Sequence, residues 1–172
     1  MNMGMTPVYF FELFVLGNSD DYHENPGCLR RAFNASVAAS HLADHYFTYN
    51  KCYEPALVSK FKTIGEYVNY LSLQTGDAFR DIRSIANVYK HLYTDIDPKK
   101  TIYNTVSSPA VIESIEIHED GLGIGFISTE YASESGVKEK ISFTRIEGSK
   151  SEFLPVLDAV VDYWHSEIYK SA

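Results

Sequence analysis

The chain has 172 residues, of which 45% are apolar and 22% are charged, a balance typical of a folded globular protein and not of a disordered one. Its formal net charge of -8 disfavours general nucleic-acid binding, because a surface of that sign repels phosphates. The N-terminal segment lacks the basic region of a signal peptide, and no apolar run approaches the roughly 20 residues that span a bilayer. Cys28 and Cys52 flank one predicted helix and cannot form a disulfide framework. We therefore expect a cytoplasmic protein with no membrane partner.

The first half of the chain is predicted to be helical. Residues 7–16 fit a short helix or a buried strand equally well, and residues 17–27, rich in Gly, Asn, Asp and Pro, predict a loop. A long helix is predicted over residues 28–50, directly after a Pro-Gly pair. Pro55 is expected to begin a second helix that runs to about residue 73, and a third helix is expected over residues 77–93.

The second half changes to β-branched and alternating segments. Residues 101–106, 111–118, 122–131 and 137–146 predict three or four strands, with Asp120-Gly121 as a hairpin turn. Ser151 is expected to cap a final helix. The predicted fold is α+β and a single domain over residues 1–172. It consists of an antiparallel three- to four-helix bundle (about 7–97), a small antiparallel β-meander (about 101–147) and a C-terminal helix (about 151–170).

Two of the predicted helices carry a polar stripe on an otherwise apolar cylinder. At 100° per residue, each stripe places an Arg, an Asn and at least one His along one side of its helix. Polar groups removed from water need partners, so such stripes mark candidate sites. The candidate residues are Arg30, Asn34, His41 and His45 on the first helix and Arg80, Asn87 and His91 on the third.

If the two stripes face each other, these side chains would form one cleft. His acts as an acid or a base near neutral pH, while Arg clamps a phosphate or carboxylate. That chemistry suffices for a metal-independent ribonuclease or another hydrolase. The alternative is structural: a polar network inside the bundle, or the solvated face that any amphipathic helix needs.

His41 and His45 also allow a metal hypothesis, because two histidines four residues apart share a helical face, as in the zinc motifs HExxH and HxxEH. Asp44 stands where the inverted motif has Glu, but its carboxylate lies one methylene further from any bound water. No third ligand follows nearby in the sequence, and His91 or Asp95 is the nearest candidate. We expect no cofactor, with a divalent metal at His41, His45 and His91 as the alternative.

Two segments resemble two helices of uncharacterised bacterial proteins of similar size: Arg31–Ala35 together with His41, and Arg80–Leu92 with its R-D-I run and its K-H pair. The resemblance covers about residues 27–95. The helical arrangement also resembles the HEPN class of four-helix domains, which includes toxin and defence ribonucleases as well as non-catalytic binding modules. In that class Arg and His lie four to six residues apart, whereas here nine residues separate Arg31 from His41 and seven separate Arg83 from His91.

The sequence therefore favours a small non-enzymatic binding or regulatory module with a HEPN-like bundle. A homodimer is expected, because the helices are rich in Tyr and the Phe-rich segment 7–16 needs cover. A separate protein partner is the other expectation. The hydrolase and the metal-binding bundle stay open as the second and third hypotheses.

Overall fold

The computed structural model describes residues 4–91, 104–118 and 137–170. Its fold is α+β, as predicted: helices dominate, and a three-stranded antiparallel sheet precedes a C-terminal helix. The helices are α1 (Pro7–Phe10), α2 (Gly17–Glu24), α3 (Leu29–Tyr53), α4 (Ile64–Gln74), α5 (Ala78–His91) and α6 (Phe153–Tyr169). The strands are β1 (Ile112–His118), β2 (Val137–Thr144) and β3 (Lys150–Glu152). No helix within the described ranges has the length and apolar character needed to cross a membrane.

Residues 7–24 are helical throughout, because a π-helical turn (Phe11–Leu16) joins α1 directly to α2. Thr6 caps the start, with its Oγ1 accepting from the Tyr9 amide at 3.2 Å. The predicted loop was wrong for residues 17–24. Tyr22 is fully buried there, donates its hydroxyl to the Pro26 carbonyl at 2.7 Å and packs edge-on against Phe153. Tertiary burial of this ring outweighs the weak helix propensity of its neighbours.

Helix α3 is the centre of the bundle. It contacts the N-terminal helices, α4, α5 and α6, and its alanines at positions 32, 35, 39 and 43 are buried. Small side chains on several sides let those neighbours approach closely. The helix ends three residues later than expected, at Tyr53.

The second predicted helix begins later than Pro55, which starts only a short 3₁₀ turn (Pro55–Leu57). The true start of α4 is set by a cap. Thr63 Oγ1 accepts from the Glu66 amide at 3.2 Å, and the Glu66 carboxylate accepts from the Lys62 amide at 2.7 Å. This pattern is close to a capping box, which supplies partners for amides that a helix start otherwise leaves open.

The sheet has the order β1-β2-β3, with Ile112 opposite Phe143 and Ser142 opposite Glu152. The predicted strand at 101–106 was wrong over the described residues 104–106. There the Val106 amide donates to Ser84 Oγ on α5 at 2.9 Å, so this stretch is tied to a helix and not to the sheet. The predicted strand at 122–131 and the turn at 120–121 lie outside the described residues.

The final helix was predicted, but its start was not. Ser151 lies in β3, which the sequence did not indicate, and α6 begins after Glu152 without a side-chain cap. Ser151 Oγ instead accepts from Arg145 Nη1 at 2.7 Å. Helix α6 buries Phe153 and Trp164 completely and packs on α5 and β2.

A buried ion pair joins the sheet region to α5. The Asp81 side chain is 1% exposed, and Arg145 donates to it through Nε at 3.0 Å and through Nη2 at 2.5 Å. The bidentate geometry satisfies a carboxylate that is itself almost completely buried. The hydrogen bond from Arg145 to Ser151 extends this connection to β3.

Replacing Asp81 with Asn should therefore destabilise the fold strongly, because Arg145 then loses its counter-ion in a largely buried position. We expect a loss of about 3 kcal/mol in the free energy of unfolding, measured by urea denaturation. The matched control is Asp158→Asn, whose carboxylate pairs with His23 at the surface at 2.8 Å and should cost less than about 1 kcal/mol. Equal losses in the two variants would contradict the role assigned to the buried pair.

Candidate functional site

The polar side of α5 faces α4, and the two helices enclose a cleft of about 290 Å³. We call it the α4–α5 cleft. Its polar lining consists of Asn69, Ser72, Arg80, Arg83, Asn87 and Asn104, and its apolar lining includes Ile64 and Val68. Two of the predicted site residues, Arg80 and Asn87, thus lie together.

Both arginines of the α4–α5 cleft are held by one carboxylate each. Arg80 Nη2 lies 3.2 Å from Asp77 Oδ1, and Arg83 reaches Asp44 on α3 through Nη1 at 3.2 Å and Nη2 at 3.4 Å. A guanidinium has five N–H donors, so each arginine keeps donors beyond those it gives to its partner. The acidic partners hold the cations in place without lining the cleft themselves.

Three amide side chains add to this donor set. Asn69, Asn87 and Asn104 line the α4–α5 cleft, and none of them has a side-chain hydrogen-bond partner among the described residues. Asn104 is positioned by its neighbours in the chain: the Thr105 carbonyl accepts from the Ile146 amide at 2.8 Å, and Val106 is bonded to Ser84. The cleft therefore offers charged and neutral donors that no group of the described chain uses.

A second depression continues from the first, because Arg80 and Asn104 line both. It extends towards Arg145 and Glu147 and is lined in part by Thr105, whose Oγ1 is buried without a partner in the described structure. The ion pair between Asp81 and Arg145 forms part of its wall. This depression is mixed in charge, in contrast to the α4–α5 cleft.

The polar stripe on α3 does not face the stripe on α5. Asn34 and His41 line a separate depression of about 340 Å³, together with Phe10, Phe14 and Tyr89. We call it the aromatic depression. Four of the candidates are thus divided between two sites, Arg80 and Asn87 in one and Asn34 and His41 in the other, and do not form the single cleft that facing stripes would give.

The remaining candidates lie outside both sites. Arg30 is exposed in the first turn of α3 and lines neither of them. His45 is half-buried: its ring stacks on Phe10 at 5.0 Å, and its Nε2 donates to the Met5 carbonyl at 2.8 Å. The backbone of His91 ends α5, but its side chain lies outside the described part of the chain.

The two histidines proposed as metal ligands use their Nε2 atoms on different partners. His45 bonds to Met5, as above, while His41 Nε2 accepts from the Lys90 ammonium. Within the described residues, no group of three or more His, Cys, Asp and Glu is arranged to hold a metal ion. The side chains of His91 and Asp95, the suggested third ligands, are not among those residues.

The sequence pattern missed four of the six polar residues that line the α4–α5 cleft: Asn69, Ser72, Arg83 and Asn104. Arg83 follows Arg80 by about one helical turn, so its position on the same side of α5 could have been predicted from the sequence. Asn69 and Asn104 had no such signal, because they come from other elements that only the tertiary packing brings alongside α5.

No protein-family model matches the chain, and neither does any curated protein or solved structure. The resemblance to HEPN domains and to uncharacterised bacterial proteins therefore stays a prediction. The geometry of the α4–α5 cleft and of the aromatic depression is what bears on function.

The electrostatic surroundings of His41 keep its imidazole neutral. Burial lowers the pKa of His41 from its ordinary value of 6.5, and the positive charge of Lys90 lowers it further, while Asp44 acts in the opposite direction. A neutral ring has a free lone pair on Nε2, which fits its role as the acceptor for Lys90.

This lowered pKa predicts a dependence of stability on pH. Because the unfolded chain takes up a proton at His41 more readily than the folded chain, the stability that this residue contributes is present above pH 6.5 and is lost as pH falls below it. A His41→Gln variant should lose less of its free energy of unfolding than the wild type between about pH 7 and pH 5.5. The measurement is urea denaturation across that range, with an NMR titration of the His41 ring. A ring pKa at or above 6.5 would contradict the prediction.

Proposed function

We propose that this chain is a cytoplasmic binding module whose α4–α5 cleft takes a small ligand with an anionic group, either a phosphate or a carboxylate. One observation carries the proposal. In a chain of net charge -8, two arginines and three unpartnered amides line one cleft, and its lining includes no Asp or Glu among the described residues.

The geometry suits a small anion. A guanidinium matches the paired oxygens of a phosphate or carboxylate, and amide N–H groups supply further donors to them. The bidentate contact of Arg83 with Asp44 fixes that side chain before binding, so less conformational entropy is lost when a ligand arrives. Ile64 and Val68 provide an apolar surface for the rest of a small molecule.

Binding is proposed ahead of hydrolysis because a hydrolase needs an acid or base beside the bound anion. Neither His41 nor His45 lines the α4–α5 cleft, and its polar side chains other than the arginines are amides and a serine. The ribonuclease hypothesis predicts a different result: the wild-type protein would cleave RNA, and a folded His41→Ala variant would not. The binding proposal expects no cleavage by either protein.

The anion proposal is tested with pyrophosphate as the probe, titrated by calorimetry. Arg80→Gln should weaken pyrophosphate binding by about ten-fold or more, since a charge-assisted hydrogen bond contributes roughly 1.5–3 kcal/mol. The matched control is Arg31→Gln, because the Arg31 side chain is 28% exposed and ion-paired, much as Arg80 is at 31%. Failure of the wild-type protein to bind, or an equal loss in the control, would contradict the proposed site.

We also propose that the module is a homodimer. The N-terminal helical run supports this, because Val8, Tyr9, Leu13 and Phe14 are between 38% and 53% exposed. Neighbouring apolar side chains on one short segment are typical of a surface that another protein covers.

Leu13→Glu should convert such a dimer into a monomer, because a carboxylate buried in an apolar interface has no partner. Leu73→Glu is the matched control, since Leu73 is also exposed but belongs to α4. Light scattering coupled to gel filtration measures the mass of each variant. A wild-type protein that stays monomeric at high concentration would refute the dimer, and so would a monomer produced equally by the control.

A further inference from the structure

The aromatic depression is walled by three rings that leave a slot between α3 and the N-terminal helical run. Phe10 and Phe14 form one wall, with ring centroids 5.1 Å apart. Tyr89 of α5 forms another and is itself stacked on Phe33 at 4.6 Å with an interplanar angle of 19°. This stacking fixes the Tyr89 ring although 47% of the residue is exposed. Rings held in this way offer flat surfaces for stacking or edge contacts with another ring.

Polar groups lie at the same depression. Asn34 lines it and has no side-chain hydrogen-bond partner within the described residues. Asn18 is anchored, since its Nδ2 donates to the Phe14 carbonyl at 2.7 Å, and its Oδ1 is left as an acceptor. The depression therefore has an apolar body with a few placed polar atoms, which is the usual composition of a small-molecule site.

One cation, Lys90, lies beside the aromatic depression and contacts a residue of its lining. No Asp or Glu is among its described lining residues, and Lys90 stands at its edge, bonded to His41. An ammonium has three donors, so Lys90 keeps two after its bond to His41. Burial and the charge of Lys90 both lower the pKa of His41, so the ring accepts from Lys90 and adds no second positive charge.

We infer that the aromatic depression binds a small planar aromatic ring that carries a carboxylate. The ring lies against Phe10, Phe14 and Tyr89, and the carboxylate accepts from Lys90 and the Asn34 amide. The volume of about 340 Å³ is at the lower end of the range for ligand pockets, which matches a ligand of one or two fused rings. The site is separate from the α4–α5 cleft and does not rest on the function proposed for it.

The probe is indole-3-acetate, followed by amide chemical shifts in NMR titrations. Neutral indole, which lacks the charge, and cyclohexaneacetate, which lacks the flat ring, are the comparison ligands. Indole-3-acetate should bind at least about ten-fold more tightly than either, because each comparison ligand loses one of the two recognised features.

Variants then locate the site. Tyr89→Ala should weaken binding of indole-3-acetate about five-fold or more. Tyr53→Ala should leave it unchanged, although Tyr53 is equally exposed at 49%. Lys90→Gln should weaken indole-3-acetate binding but not the binding of indole. Arg31→Gln, which removes a surface arginine that lines neither depression, should have no effect on indole-3-acetate.

Several outcomes would overturn the inference. Equal affinity for indole-3-acetate and cyclohexaneacetate would show that the ligand needs no aromatic ring. An equal loss of affinity in Tyr53→Ala and Tyr89→Ala would show that the ligand does not bind specifically at the aromatic depression. A loss in Arg80→Gln alone would place the carboxylate in the α4–α5 cleft. Shifts at Asn34 and Tyr89 that depend only on protein concentration would show that a second copy of the chain fills the depression.

Discussion

The close packing around α3 is the constraint on which the other elements depend. Because its alanines are buried on several sides, the N-terminal helices, α4, α5 and α6 all pack against it. A helix surrounded in this way cannot turn its whole polar stripe towards one neighbour. Asn34 and His41 therefore open towards the N-terminal run, while α5 is free to direct Arg80 and Asn87 towards α4. The packing of the other helices around α3 thus produces two separate depressions, the aromatic depression and the α4–α5 cleft.

Helix α5 is held in place by polar contacts in three directions. Arg83 reaches Asp44 on α3, Ser84 bonds to Val106, and Asp81 receives the bidentate contact of Arg145. These bonds fix the rotation of the helix about its own axis more firmly than apolar packing alone, because hydrogen bonds are directional. The polar side of α5 is consequently presented to the α4–α5 cleft in one orientation. Preorganisation of this kind lowers the cost of binding.

Much of the fold could be predicted from the sequence, because strong periodicity reports burial directly. Helices α3, α5 and α6 and strands β1 and β2 follow from such patterns. The failures have a common physical cause: tertiary contacts outweigh local propensity. Burial of Tyr22 stabilises a helix in a segment whose composition is typical of a loop. Val106 is bonded to α5 instead of to a neighbouring strand.

The candidate sites, like the fold, could be predicted only in part from the sequence. Helical spacing indicates that Arg80 and Asn87 share a side, as do Asn34 and His41. Helical spacing does not indicate which neighbouring helix each side contacts, because that depends on the packing of all the helices at once. Asn104 is an example: its place beside α5 depends on the hydrogen bonds that its neighbours Thr105 and Val106 form with residues far away in the chain.

The acidic balance of the chain is compatible with the two arginines of the α4–α5 cleft, because the net charge and the arginines act over different distances. Arg80 and Arg83 act on a ligand at contact distance, whereas the net charge of -8 acts over the screening length of about 8 Å at physiological salt. A small anion placed within the α4–α5 cleft meets the arginines first. A long nucleic acid would extend beyond the cleft into the field of the surrounding carboxylates and be repelled there. That charge distribution would oppose general nucleic-acid binding while leaving the α4–α5 cleft open to small anions, and for this reason the ligands proposed for both depressions are small molecules.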